Sequence, residues 1–241
     1  MKNVKKAIAL VAVIMGVSTV SLAQNGFSVR AGGNFPVGTF AQGKITDLAL
    51  SSLKSELGGA ATGFNVGVKY QLGLLGDLSA FASADLFYNG LKSDIKEAMQ
   101  VDGADVVAPA YMNIPVMVGA NYTILDIIGT TLWAEAGIGV NFRNITSSTF
   151  AAAVGSLVSG STESDYDLST SFAWQVGVGV SVSSKVSLGL HYYGFGAADV
   201  RGEQTASGNL GGLIDGATKP VDFTLGKLNP SMVVIRLGYH F

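Results

Sequence analysis

Hydrophobicity spread thinly along the chain, a period-two alternation recurring in eight segments, and connections alternating between short and long predict an all-β fold: an eight-stranded antiparallel up-and-down transmembrane β-barrel with four long external loops. Hydrophobic residues are 48% of the 241 and charged residues 13%. Beyond the first seventeen residues, however, no run approaches the roughly 20 apolar residues that a membrane helix needs. The apolar character is dispersed among 32 glycines, as in a membrane barrel whose strands each carry a weak signal.

The chain starts with Lys2, Lys5 and Lys6, an apolar run from Ala7 to Val17, and the small-x-small pattern Ser21, Leu22, Ala23 before Gln24. This predicts a secretory signal peptide at 1–23 and a single barrel domain at 24–241. With no cysteine, neither a lipid anchor at the cleavage site nor a disulfide framework is available. Without the three signal lysines, the 15 basic residues fall to 12 against 17 acidic, a formal charge of −5. No basic surface points to nucleic acid.

Each strand follows from its alternation. The first sets Phe27, Val29, Ala31, Gly33 and Phe35 against Ser28, Arg30, Gly32 and Asn34. A second sets Phe64, Val66, Val68, Tyr70 and Leu72 against Asn65, Gly67, Lys69 and Gln71 and stops at Gly73. The third runs from Leu78 to Asn89, with Phe81, Asp85 and Phe87 on its inner side. The fourth turns Met112, Ile114, Val116, Val118, Ala120 and Tyr122 outward, and Pro115 inside it is expected to make a bulge or a kink. In the fifth, Leu132, Ala134, Ala136, Ile138, Val140 and Phe142 face out while Glu135, Asn141 and Arg143 face in. The sixth, Phe172 to Val182, and the seventh, with Val186, Leu188, Leu190 and Tyr192 outward, are separated by Ser183, Ser184 and Lys185. The eighth puts Val233, Ile235, Leu237, Tyr239 and Phe241 outward and Met232, Val234, Arg236, Gly238 and His240 inward.

The connections 73–77, 124–130 and 183–185 are short, and 36–61, 91–109, 144–169 and 197–230 are long. That layout belongs to a barrel of the Gram-negative cell envelope, with turns on the periplasmic side and loops outside. It also sorts the outward aromatics by height. Phe27, Tyr70, Tyr122, Tyr239 and Phe241 gather at the periplasmic rim, and Phe35, Phe64, Tyr88, Phe142, Phe172, Trp174 and Tyr192 gather nearer the outer one.

The run Tyr111, Met112, Asn113, Ile114, Pro115, Val116 resembles the Tyr-x-x-Ile-Pro strand of the small outer-membrane β-barrel family abundant in Bacteroidota, related in shape to the opacity-like and OmpA-like eight-stranded barrels. The resemblance spans nearly the whole mature chain. It implies a location in the cell outer membrane and a porin-family shape, and its members range over porin-labelled, adhesin-like and secretion-associated proteins. Tyr239 and Phe241, around His240, resemble the carboxy-terminal assembly signal of such proteins. The implied partners are outer-membrane lipid, lipopolysaccharide and the outer-membrane assembly machinery; no further protein partner is implied.

Inward charges are Arg30, Lys69, Asp85, Glu135, Arg143 and Arg236, which a narrow lumen must pair or hydrate. Inward Phe81, Phe87, Trp133 and Tyr193 would help to fill it. Inward Gly67, Gly119, Gly137, Gly139, Gly177, Gly179, Gly189 and Gly238 leave two possibilities open: large side chains from the third and seventh strands occupy that space, or a water-filled cavity persists. Three functions are therefore in view. One is an anchor displaying surface loops; another is passive passage of small solutes or ions; the last is an accessory role in secretion or envelope assembly.

No enzyme, metal or cofactor is expected. A hydroxyl nucleophile needs a base, and of the two histidines His191 precedes Tyr192 and Tyr193 while His240 sits at the periplasmic rim. In the loops, Asp94, Glu97, Asp102 and Asp105 outweigh Lys92 and Lys96, and Glu163, Asp165 and Asp167 stand without a base. Their spacing matches no calcium loop, so solubility explains them. Ile45, Leu48, Ala49, Ser52, Leu53, Glu56 and Leu57 fall near helical spacing, and 150–158 is apolar. Both segments are expected to cap the barrel, a role that needs no second molecule.

Overall fold

Residues that alternate with period two satisfy their backbone groups only by pairing sideways, and a sheet in lipid must close on itself to lose its edges. The computed structural model describes residues 26–42, 58–100, 104–154, 158–183, 185–210, 215–217 and 220–241. The predicted signal segment and the predicted amphipathic helix at 45–57 lie outside the described residues.

Fourteen strands and two short helices are described. In chain order they are β1 (Gly26–Val37), α1 (Thr39–Gln42), β2 (Gly63–Leu75), β3 (Leu78–Asn89), α2 (Ser93–Met99), β4 (Ala104–Val107), β5 (Tyr111–Ile127), β6 (Thr130–Ile145), β7 (Ser148–Val154) and β8 (Val158–Tyr166). Then come β9 (Ser169–Val182), β10 (Val186–Phe195), β11 (Ala198–Leu210), β12 (Asp215–Ala217), β13 (Val221–Leu228) and β14 (Ser231–His240).

Eight of the strands form a closed antiparallel barrel in the order β1, β14, β10, β9, β6, β5, β3, β2. These are the eight strands that the alternation predicts. The register runs from Gly26 through Gln71, Phe81, Gly119, Gly137, Gln175, Tyr193 and Met232 back to β1 at Pro36, ten residues from its start. That stagger is the geometric counterpart of tilted strands in a closed sheet. Gly76 and Gly129, at φ +53° and +77°, supply the left-handed conformation in the two tightest turns.

Pro115 makes no bulge. Toward β6 it pairs with Asn141 in unbroken register. Toward β3 the ladder lapses between Val116 and Asn113 and resumes without a shift. A proline lacks the N–H that a ladder would use, and here the loss is absorbed without a register shift. The irregularity in β5 lies instead between Thr123 and Leu125.

The four long external connections are in part ordered. Strands β4, β7, β8, β11, β12 and β13, all drawn from the long connections, pair into a second sheet ordered β12–β11–β8–β7–β4, with β13 also against β11. Phe150 to Val154 belong to β7, paired with β4 and β8, and residues 155–157 of the predicted cap lie outside the described residues. The outer end is closed by other residues: Phe40 of α1 packs edge-on against Tyr111 at 5.1 Å, and Leu91 and Ile95 are buried beside them.

Outside, the large apolar side chains of the wall remain open to the surroundings, as in Leu237 at 60% exposure and Phe172 at 58%. An apolar belt around a whole molecule far exceeds the patches tolerated in water, so this surface faces lipid. The predicted aromatic sets also touch. Phe27 meets Phe241 at 5.9 Å, and Tyr239 meets Phe241 at 5.1 Å. At the other height Phe64 stacks on Tyr88 at 5.5 Å, and Trp174 lies 5.3 Å from Tyr192.

Candidate functional site

Inward-facing positions on all eight barrel strands build a network around five of the lumen charges. Arg30 of β1 donates through one guanidinium nitrogen to both carboxylate oxygens of Asp85 on β3, at 3.0 and 2.9 Å. Arg236 of β14 reaches the same carboxylate at 3.3 Å. A second carboxylate, Glu135 of β6, accepts from Lys69 of β2 at 2.5 Å, His191 of β10 at 3.0 Å, Gln175 of β9 at 3.2 Å and Asn121 of β5 at 3.4 Å. Because an ionised carboxylate only accepts, the bonded nitrogen of His191, Nε2, carries a proton. Arg30 also approaches Glu135 at 3.9 Å and so joins the two centres. All five charged residues are almost completely buried.

Aromatic faces complete the network. The Lys69 ammonium lies 4.6 Å from the Phe81 ring centre and 5.6 Å from that of Trp133. The Arg236 guanidinium lies 5.1 Å from Tyr193 and 5.7 Å from Phe87. Beyond the charges, toward the outer mouth, Phe87, Tyr193, Phe195, Met117, Met232 and Val234 have no exposed surface. Phe87 sits 5.0 Å from Tyr193 and 5.6 Å from Phe195.

The glycines explain how a narrow barrel holds this content. A Cβ on Gly137 would strike the tip of Phe81, one on Gly179 or Gly189 would meet the Trp133 ring, one on Gly177 would meet His191, and one on Gly67 would meet Asp85. The small positions are sockets for large side chains, which decides between the two possibilities that the sequence leaves open. The occupants come from β3, β6 and β10, so the fifth predicted strand contributes as well as the third and seventh. Opposite these glycines the lumen is filled by side chains, while Gly189 and Gly238 also line open space nearer the periplasmic end.

Arg143 is separate from the ion network. Its guanidinium donates to the Leu228 carbonyl at 2.9 Å, the Gly196 carbonyl at 3.1 Å and Asn113 Oδ1 at 3.4 Å. It ties β6 to the ends of β10 and β13, where chain leaves the wall for the outer sheet. His191, conversely, belongs to the network, although sequence reasoning considers it only as a catalytic base. Its parity with Ser187, Gly189 and Tyr193 is the signal that could have placed it there.

At the periplasmic end the lumen widens into an open cup of about 450 Å³. Arg30, Lys69, Arg236, Glu135 and His191 form its inner end, and Asp77, Asp126 and Phe241 stand near its mouth. His240 and Ser187 hydrogen-bond in its wall at 3.0 Å. No carboxylate bonds the His240 ring among the described residues, so this pair lacks the orienting third group of a nucleophilic site.

A closed wall with lipid outside and paired charge inside settles the architecture. The fold is a small eight-stranded transmembrane β-barrel. Among solved structures it is similar to a major outer membrane protein of Thermus thermophilus, at 13% identity over 90% of this chain and 100% of that one, with a TM-score of 0.46. It is likewise similar to Ail, the attachment invasion locus protein of Yersinia pestis, at 14% identity, 90% and 97% coverage and a TM-score of 0.41. The outer membrane protein OprG of Pseudomonas aeruginosa gives 12% identity, 90% and 96% coverage and a TM-score of 0.42. No family model and no curated protein sequence matches the chain.

Proposed function

We propose that this protein is a surface-display barrel, a closed membrane anchor whose outer connections fold into a β-sheet presented to the exterior. The observation that carries this reading is the pairing of a lumen packed shut toward its outer mouth with an ordered outer sheet. The segments that connect the sheet to the wall are held by backbone hydrogen bonds. Asp167 N–H donates to the Arg201 carbonyl at 2.9 Å, Gly196 N–H to the Phe172 carbonyl at 2.7 Å, and Phe195 N–H to the Pro230 carbonyl at 2.8 Å. Tyr166 of β8 meets Phe223 of β13 edge-on at 5.7 Å. Two edge strands of the sheet, β4 and β12, are only four and three residues long, which limits unwanted edge pairing.

The outer sheet has a surface suited to water. Glu163, Asp165 and Glu203 are exposed on β8 and β11, and Ser161 and Ser207 bond hydroxyl to hydroxyl across the strands at 2.6 Å. Two measurements test the reading. Refolded protein in planar bilayers should give no steady single-channel conductance, and an epitope inserted at 211–214, between β11 and β12, should bind antibody on intact cells. Reproducible channels, or an epitope reached only after lysis, would overturn it.

A further inference from the structure

The lumen's charges do not balance. Arg30, Lys69 and Arg236 face Asp85 and Glu135, three cations to two carboxylates, and each of the five residues is at most 5% exposed. Both carboxylates are already shared. Asp85 serves two guanidinium groups, and Glu135 serves Lys69 and three further donors. Toward the outer mouth the lumen offers amides and aromatic rings, with Arg143 as a further cation. An uncompensated charge in such surroundings is costly, and a counter-charge is the ordinary remedy.

Among the described residues the cup is the open approach to this network. Its inner end carries the excess cation, its walls include Ser28, Ser79, Ser187 and the Trp133 ring, and the carboxylates Asp77 and Asp126 also line it, near the mouth. Arg30 Nε and Arg236 Nε and Nη2, on two residues of that inner end, are buried donors without a hydrogen-bond partner. The volume of about 450 Å³ lies within the range of about 300 to 1,000 Å³ of small-ligand sites. A bare halide would leave most of it to water. Guanidinium and ammonium groups favour oxygen-bearing anions, which accept several hydrogen bonds at once.

We propose that the periplasmic cup binds a small oxyanion, a carboxylate or a phosphate, whose charge completes the lumen's ion network. The site is reached from the periplasm and does not require an open lumen. It is therefore independent of the display reading: conductance tests that reading, and anion binding tests this one.

The experiment uses full-length mature protein refolded in detergent with Trp174→Phe. Trp174 faces lipid, and the chain has only two tryptophans, so this change leaves Trp133 as the sole indole. Iodide should quench Trp133 more steeply than neutral acrylamide, and caesium less. Acetate, succinate and inorganic phosphate, added separately at constant ionic strength, should protect it, and their relative potencies separate the carboxylate source from the phosphate source. Lys69→Gln, which balances the charges, should weaken protection about tenfold or more, and Glu135→Gln, which enlarges the excess, should strengthen it comparably. Gel mobility before and after heating reports whether each variant has folded. Iodide quenching no steeper than acrylamide quenching would overturn the proposal, and that arm needs neither charge variant. Protection that is equal across the folded charge variants would also overturn it, including the case in which a neutral Lys69 removes the excess.

Discussion

Replacing Asp85 by Asn is the most direct probe of the lumen. The carboxylate accepts at 3.0, 2.9 and 3.3 Å from two arginines, and the residue is 2% exposed. The amide keeps the size and loses the charge, which leaves two buried guanidinium groups with no ionic partner at that level. Breaking a buried pair from one side costs about 3 to 5 kcal/mol, a large share of a typical stability of about 5 to 15 kcal/mol. Equilibrium urea unfolding in detergent, followed by tryptophan fluorescence and by gel mobility before and after heating, measures the loss. A triple change, Arg30→Met with Asp85→Leu and Arg236→Met, removes the charges together. It should regain most of that stability, because a buried ion group exchanged for well-packed apolar residues is often neutral or better. A loss under about 1 kcal/mol for Asp85→Asn, or a triple variant weaker than the single one, would refute the assignment of Asp85 as the hub.

Further outcomes follow from the wall and its attachments. Leu237→Arg, at a lipid-facing position between Leu188 and Ala31, should cost about 2 to 4 kcal/mol and reduce recovery in the outer membrane fraction. Deleting Phe241, whose N–H bonds the Phe27 carbonyl at 2.9 Å, should likewise slow assembly, read by pulse-labelling and heat-dependent mobility. Gly119→Val should destabilise by about 1 to 3 kcal/mol in the same urea assay, since its Cβ would press on the Ala136 carbonyl, the Gly137 Cα and the Phe81 ring. Arg143→Met should leave the barrel folded and speed protease cleavage within 196–230, because the carbonyls of Gly196 and Leu228 lose their shared donor.

The barrel strands were legible because lipid enforces a strict inside and outside, so alternation survives in every one of them. The parity of Arg30, Lys69, Asp85, Glu135 and Arg236 was equally readable. Their partnerships were not: Lys69 and Glu135 stand 66 positions apart, and only the accumulated register says which inward residues share a height. The same limit hid the separation of Arg143 from the other charges and the inclusion of His191. The outer sheet was illegible for a different reason. Its strands, such as VSGSTESDY and ADVRGEQTASGNL, are mostly polar and carry no sustained apolar alternation, so the sequence holds no period-two signal for them.

The seam between β1 and β14 has a consequence for time as well as for shape. Ten register pairs, from Ser28 with His240 to Val37 with Ser231, join the two ends of the barrel domain. No part of that ladder can form until the last residues have been made, and contacts so distant along the chain are slow to find one another. The same ladder opens slowly once it is shut, because its backbone groups have no alternative partners in lipid. Persistence of the closed barrel is thus governed by a rate of opening. A protein of this kind can outlast the conditions under which it was assembled.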